Sequence, residues 1–314
     1  ERVPEAGLTA WAGGGILGRV SSPHGRAVMP RRPDFVPPDT SKNNTTYDTD
    51  LTDAQWRLIE PLLPPSDTSG APRTTNLRHA VNAMLYRSKT GCQWKMLPRD
   101  FGIPWKTVYN WHEAFARRGT WERVQLVLAA KARVAAGREP DPSLLVADSQ
   151  TVKSAETVPD AGFDGGKRTN GRKRHALVDT LGLVFAVAVT SAAVGDAKGA
   201  ELTLGQVAGN RRLAAVYADA AYRRDALDEY LTASEARYKL VIVSKPPGQE
   251  GFQVHPKRWV VERYFSWLRA DRLLAREYEG REWISRSNVF LRSVMLTINT
   301  YLRLQAKNAP ACAA

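Results

Sequence analysis

Cysteine is nearly missing from this chain: Cys92 and Cys312 are the only two in 314 residues. Two cysteines so far apart, one of them in a terminal run of small residues, build no disulfide framework. A reducing, cytoplasmic setting is the simplest reading. Long apolar runs are missing too, and nothing approaches the roughly 20 consecutive apolar residues that span a bilayer. Histidine is scarce, with five in the chain, and neither histidine nor cysteine shows metal-ligand spacing, which disfavours zinc. Negative charge is in short supply: 45 Lys+Arg against 32 Asp+Glu leave a formal charge of +13 and a pI near 9.9. Such a surplus favours a polyanionic partner, because each neutralised phosphate releases condensed counterions. Nucleic acid is the first such partner and an anionic membrane surface the second. No basic region precedes the short apolar stretch near the start, so no secretory leader is expected. Position 1 is not methionine, which makes Met29 one candidate start.

Composition and periodicity divide what is present into four stretches. Residues 1–48 are rich in Gly, Pro, Ser and Arg, and offer too little apolar surface to offset ordering entropy, so a flexible tail is expected. A helical region is expected over 49–137. Thr52 and Gln55 form a capping-box pattern ahead of Trp56, Ile59 and Leu63, and Pro61 should end or kink that helix. Further helices are predicted near 75–89, 105–117 and 121–136. In the third, Val108, Trp111, His112 and Phe115 recur at core-face spacing. From 138 to 306 the pattern changes. LLVAD reads as a short buried strand, KRHALVDT and LVFAVAVTS as a long hairpin, AAVYADA and KLVIVSK as further strands. Helices are predicted near 197–208, 224–234, 257–270 and 284–305. The order β-β-β-α-β-α-β-α implies an α/β fold of ribonuclease H-like type, a mixed sheet flanked by helices, preceded by a small all-α domain. Residues 307–314 read as a tail.

Three acids stand out. Asp148 and Asp219 each end a short apolar run, where a buried strand delivers a side chain to the sheet edge. Glu262 lies on the predicted C-terminal helix, about 100° around from Val261. With Val261, Phe265 and Leu268 as the buried stripe, Glu262 should border the buried face. Each acid also has a plainer role open to it: a turn or helix cap for the aspartates, a solvated ion pair with Arg258 for the glutamate. Taken together they suit a hard divalent cation such as Mg²⁺, which takes oxygen ligands. Two such ions about 4 Å apart can activate an attacking oxygen and stabilise a leaving one, as phosphoryl transfer needs. Among the other acids, Asp179 falls at the hairpin turn, Asp160 and Asp164 in a Gly-rich loop, and Asp196 where a helix cap is expected.

Two basic features point towards DNA. Lys167, Arg168, Arg172, Lys173 and Arg174 read as a Gly-containing loop entering the hairpin, a shape able to follow a phosphate backbone. The 105–117 helix carries Lys106, Asn110 and Arg117 on its polar side and could enter a groove in the manner of a helix-turn-helix reader. A solvated charge run and a plain three-helix bundle remain open for the two.

The chain resembles the DDE transposases of bacterial insertion sequences, in the insertion-sequence-five group, from about Leu51 to Leu304. LTDAQWRLIEPLLPP, GCQWKMLPRDFGIPWKTVYNWHEAFARRGTWERV, ADSQTVKSAE, NGRKRHALVDTLGLVFAVAV and RWVVERYFSWLRADRLLAREYE carry the likeness. The resemblance implies that Asp148, Asp219 and Glu262 are the catalytic and metal-binding acids, with two Mg²⁺ ions per site, Mn²⁺ as a substitute. In the family's signature around the glutamate, Arg258 matches, Arg269 stands at the lysine position and His255 at the tyrosine position. Both arginines are then phosphate contacts. The short link 246–255 implies that no large β insertion precedes the glutamate helix. The implied partners are double-stranded DNA at the element ends and the target, and a second copy of the chain in a dimer or larger assembly. A ribonuclease H-like nuclease without strand transfer and an inactive DNA-binding remnant stay open beside this reading.

Overall fold

The computed structural model describes residues 47–65, 75–223, 225–243 and 259–308. Residues 1–46 and 309–314 of the expected tails, the 246–255 link, His255 and Arg258 lie outside the described residues; Tyr47 packs against Tyr86 and Phe101, and the last helix runs to Asn308.

The capping box at Thr52 starts α1 (Asp53–Ile59): the Thr52 hydroxyl accepts the Gln55 N–H, and the Gln55 side chain accepts the Thr52 N–H at 2.9 Å. Pro61 then turns the chain through one short 3₁₀ turn. Asn76 caps α2 (Leu77–Thr90), which Gly91 ends in the left-handed region at φ 70°. α3 (Trp105–Arg117) buries Val108, His112 and Phe115, with Trp111 half-buried. α4 (Thr120–Ala135) completes the helical region.

Next come β1 (Leu144–Lys153), β2 (Gly162–Asp164), β3 (Thr169–Asp179) and β4 (Val184–Ser191). α5 (Asp196–Gln206), β5 (Ala215–Ala218), α6 (Asp225–Ala233) and β6 (Lys239–Ile242) follow, then α7 (Trp259–Arg269), α8 (Arg272–Ala275) and α9 (Glu282–Asn308). The sheet runs β2-β3-β1-β5-β6, with β4 also paired to β3. β3 is antiparallel to β1, β2 and β4, while β1, β5 and β6 are mutually parallel neighbours. It is the mixed, helix-flanked sheet that the element order implies.

Three details depart from expectation. β1 is twice as long as LLVAD suggests, because pairing with β3 continues to Lys153 opposite Gly171. β2 is too short and too rich in Gly and Asp to signal itself. Asp196 is the first residue of α5 and not its cap; Gly195 occupies the cap position without a side-chain bond.

Registered partners in the β1–β3 pair share a face. Val146 with Val178, Asp148 with Ala176, Gln150 with Arg174 and Val152 with Arg172 form one face. α7 and α9 pack there, with Val146, Ala176, Val261, Phe265 and Val294 in one apolar cluster. Ser149 with His175 and Thr151 with Lys173 form the other face, beneath α5. A Cβ added at Gly199 of α5 would meet the His175 ring at 2.0 Å, so only glycine permits this approach.

The helical region is not set apart from the sheet, and the described residues fall in one compact unit. Trp121, Val124 and Leu128 of α4 share the core cluster with β4 and α9. Fully buried Gln125 donates to the Val184 carbonyl at 3.1 Å and accepts the Thr297 hydroxyl at 3.0 Å, tying α4 to β4 and α9.

Asp179 has the turn role its position suggests. Its Oδ1 accepts the Leu181 and Leu183 N–H groups, both at 2.9 Å, and its Oδ2 pairs with buried Arg133 of α4. Removing the carboxylate in Asp179→Ala strands a buried guanidinium, so unfolding free energy should fall by about 3–5 kcal/mol in urea titrations. His112 is fully enclosed beside Trp94 and Arg87, with neither ring nitrogen hydrogen-bonded. Burial, reinforced by Arg87, pushes its imidazole down to about 3. The unfolded chain, with a free value of about 6.5, takes up the proton first. Stability should therefore be full above that pH and fall below it, by about 2 kcal/mol at pH 5. His112→Leu should flatten the fall in the urea midpoint between pH 7 and 5.

Candidate active site

β1 and β5 are in parallel register, with Leu144 opposite Ala215, Leu145 opposite Val216 and Val146 opposite Tyr217. The pairing ends there, and Asp148 and Asp219 each lie two residues past its last registered pair. Asp148 stays within β1, half-buried, its Oδ1 accepting the Ser149 N–H at 2.7 Å. β5 stops at Ala218, and Asp219 caps the short 3₁₀ turn after it, accepting the Ala221 N–H at 2.9 Å. The cap role and the strand-end role thus coincide in Asp219.

Glu262 sits in the first turn of α7, on the helix that covers the Asp148 face of the sheet, but its own side chain is exposed. The buried stripe is wider than Val261, Phe265 and Leu268. Val260 and Tyr264 belong to it, the Tyr264 hydroxyl meeting Ser293 Oγ at 2.8 Å. That shifts the centre of the stripe away from Glu262, which lies outside the border and not on it. Arg269, the last residue of α7, is also exposed.

Among the described residues no three His, Cys, Asp or Glu side chains form a group that could hold a metal ion. The three carboxylates fit a hard divalent cation in kind, as oxygen donors.

The basic segment divides in two. Lys167 and Arg168 occupy the exposed β2–β3 turn, with Arg168 at φ 47°. Arg172, Lys173 and Arg174 are in strand β3 and buried, which corrects the expectation of a single basic loop. Arg172 donates to the carbonyls of Glu279 at 2.9 Å, Gly280 at 3.1 Å and Pro159 at 3.2 Å. Arg174 donates to the Leu274 carbonyl at 2.8 Å and pairs with Glu277 at 3.5 Å. Both side chains are spent on the protein's own backbone and acids. On α3, Lys106, Asn110 and Arg117 are exposed as expected. Arg117 pairs with Glu113 at 2.8 Å and lies over the Trp283 ring, while Lys106 lies 4.5 Å from the centre of the Tyr109 ring.

Behind Asp148 lies a polar network that sequence reading did not anticipate. Ser149 Oγ donates to Asp196 at 2.6 Å, and buried Lys173 lies 3.3 Å from Asp196 and 3.4 Å from Asp164. Asp164 accepts the Thr151 hydroxyl at 2.5 Å and the Gly166 and Lys167 N–H groups at 3.1 Å. Lys167 Nζ returns to the Ser149 carbonyl at 3.1 Å. Burial alone would raise the Asp164 carboxyl, but Thr151, the Lys167 N–H and Lys173 hold it down at about 2. The signal available in sequence was the alternation that puts Ser149, Thr151, Lys173 and His175 on one face.

The description "Transposase DDE domain" matches residues 139–291, and that of the IS4/5 transposase family matches residues 51–125. An uncharacterized 16.2 kDa protein of insertion element IS402 from Burkholderia cepacia is 32% identical over 113 residues, 33% of this chain and 73% of that protein. The mixed sheet and its match to a DDE domain define a ribonuclease H-like enzyme that cleaves nucleic acid. The chain belongs to the IS4/5 family of transposases, whose DDE domains act on DNA and generally use divalent metal ions. No described helix is long and apolar enough to cross a membrane.

The division of the basic segment has a direct consequence. Arg172→Ala leaves three carbonyls without their donor and should lower unfolding free energy by roughly 3 kcal/mol or more. Arg168→Ala, at an exposed turn, should change it by less than about 0.5 kcal/mol while lowering the salt slope of DNA binding by about one ion. Urea titration and filter binding at several salt concentrations distinguish the two.

Proposed function

We propose that this chain binds the terminal inverted repeats of its element as double-stranded DNA and catalyses strand cleavage and then strand transfer. Asp148, Asp219 and Glu262 are the catalytic acids of this reading, holding two Mg²⁺ ions, with Mn²⁺ as a substitute. The observation that supports it is the parallel β1–β5 pairing, with Asp148 and Asp219 each two residues past its last pair and α7 over the face that bears Asp148. Bound there, divalent cations would lower the cost of generating an attacking oxygen and of charge on the leaving one.

The protein's own contribution is positioning and charge. Asp148 is held by its pairing with β3 and Asp219 by its cap role, each with a local N–H bond, so little reorganisation is needed for them to act as ligands. Lys167 and Arg168 in the exposed turn and Arg269 at the end of α7, together with Arg258, neutralise phosphates near the carboxylates. Lys106, Asn110 and Arg117 on the outer face of α3 contact the repeat, and joining two element ends calls for a homodimer or larger assembly. A nucleoid-associated, cytoplasmic location follows from this role.

Asp148→Asn, Asp219→Asn and Glu262→Gln should each lower Mg²⁺-dependent cleavage of terminal-repeat DNA by at least about a hundredfold, with DNA affinity within about twofold. Products sized on a denaturing gel, with a target plasmid present, separate cleavage from joining. Wild-type cleavage by any one variant removes that residue from the site, and cleavage without joined products favours a simple nuclease.

A further inference from the structure

We propose that Lys173 is a positioning residue for the carboxylate strand, acting through Ser149 from the opposite face of the sheet. The inference rests on reading Asp148 as a metal ligand. Asp148 and Ser149 are consecutive in β1 and face opposite sides. Every polar group of Ser149 has a partner: its N–H is on the Asp148 carboxylate, its hydroxyl on Asp196, its carbonyl on Lys167 Nζ. Asp196 and Asp164 both reach Lys173, and Asp164 holds the Lys167 backbone N–H. The path runs from Ser149 to Asp196, Lys173, Asp164 and Lys167, and then back to Ser149. It joins α5, β3, the β2–β3 turn and β1 in one closed circuit.

Stability alone is a poor reason for such an arrangement. The Lys173 side chain is 7% exposed, and desolvating an ammonium offsets most of what two carboxylates return. Apolar side chains in place of all three charged groups would fill the space at similar or lower cost. What the circuit does supply is directional: it fixes the backbone at Ser149 in translation and rotation, and the Asp148 carboxylate is bonded to that same backbone. Thr151 adds a second anchor two residues along the strand, through its hydroxyl on Asp164. Outer partners of this kind commonly set ligand geometry as strictly as the ligands themselves.

The test uses the full chain and Mn²⁺ alone, followed by titration calorimetry, with terminal-repeat cleavage measured in parallel. Ser149→Ala and Lys173→Met should each weaken Mn²⁺ binding about tenfold and lower kcat by a similar factor, with KM for DNA within about twofold. Lys173→Arg, which keeps the cation, should recover most of the loss. Melting temperatures identify any variant that fails to fold. Ser149→Ala deletes a single hydroxyl, so it tests the inference even if Lys173→Met does not fold. If Asp148→Asn abolishes Mn²⁺ binding but Ser149→Ala leaves affinity and kcat at wild-type values, the positioning role is overturned and the site reading stands. If there is no Asp148-dependent Mn²⁺ binding at all, the site reading fails and this inference fails with it.

Discussion

The unequal pairing of β1 is the constraint on which the rest of the structure depends. On one side β1 is bonded to β3 from Leu145 to Lys153, and on the other to β5 only from Leu144 to Val146. The long antiparallel ladder holds the strand in place without help from β5. β5 is therefore free to end at Ala218 and turn away, with Asp219 at that departure and Asp148 on β1 two residues past the last β1–β5 pair. A sheet in which both neighbours ran the full length would bury both aspartates between ladders. Where parallel neighbours separate beyond their carboxyl ends, a crevice opens that a ligand can enter.

The second organising fact is how much positive charge is interior. Arg133, Arg172, Lys173 and Arg174 are all buried, each with carbonyls or carboxylates around it. They belong to the fold's internal wiring and contribute little to the field that a polyanion meets at the surface. Exposed cations lie on the β2–β3 turn, on α3 and at the end of α7, and also on α4, α5, β6 and α9. Buried Asp164, Asp179, Asp271 and Glu277 offset the interior cations, so the formal charge of +13 is carried almost wholly outside the interior.

Much of the architecture was legible because local signals agreed with tertiary ones. The Thr52 capping box, the α3 stripe and the Leu181–Gly182 turn between two apolar strands all read correctly from neighbours in sequence. Asp219 follows β5 directly, as its apolar run suggests, but Asp148 lies mid-strand because β1 continues to Lys153. What was hidden depended on distant partners. Arg172 and Arg174 look like a loop in sequence because the carbonyls they satisfy come from residues 274–280, a hundred positions away. Glu262 was set at the border of a stripe judged three residues wide, because the partner that draws Tyr264 inward is Ser293 on another helix. The short strand at Gly162 exists only because β3 offers it an edge. The family resemblance supplied the order of the acids but could not say which way each side chain faces.

Gln125 links the two halves of the chain, reaching from α4 to a β4 carbonyl and to Thr297 on α9. A buried amide satisfied on both sides cannot be cut from either neighbour without leaving unpaired polar atoms in an apolar setting. The helices at the start of the chain are thus not a detachable module that could be swapped for another. Exchanging the whole region would open this shared interior, whereas the outward side chains of α3 can change without disturbing it.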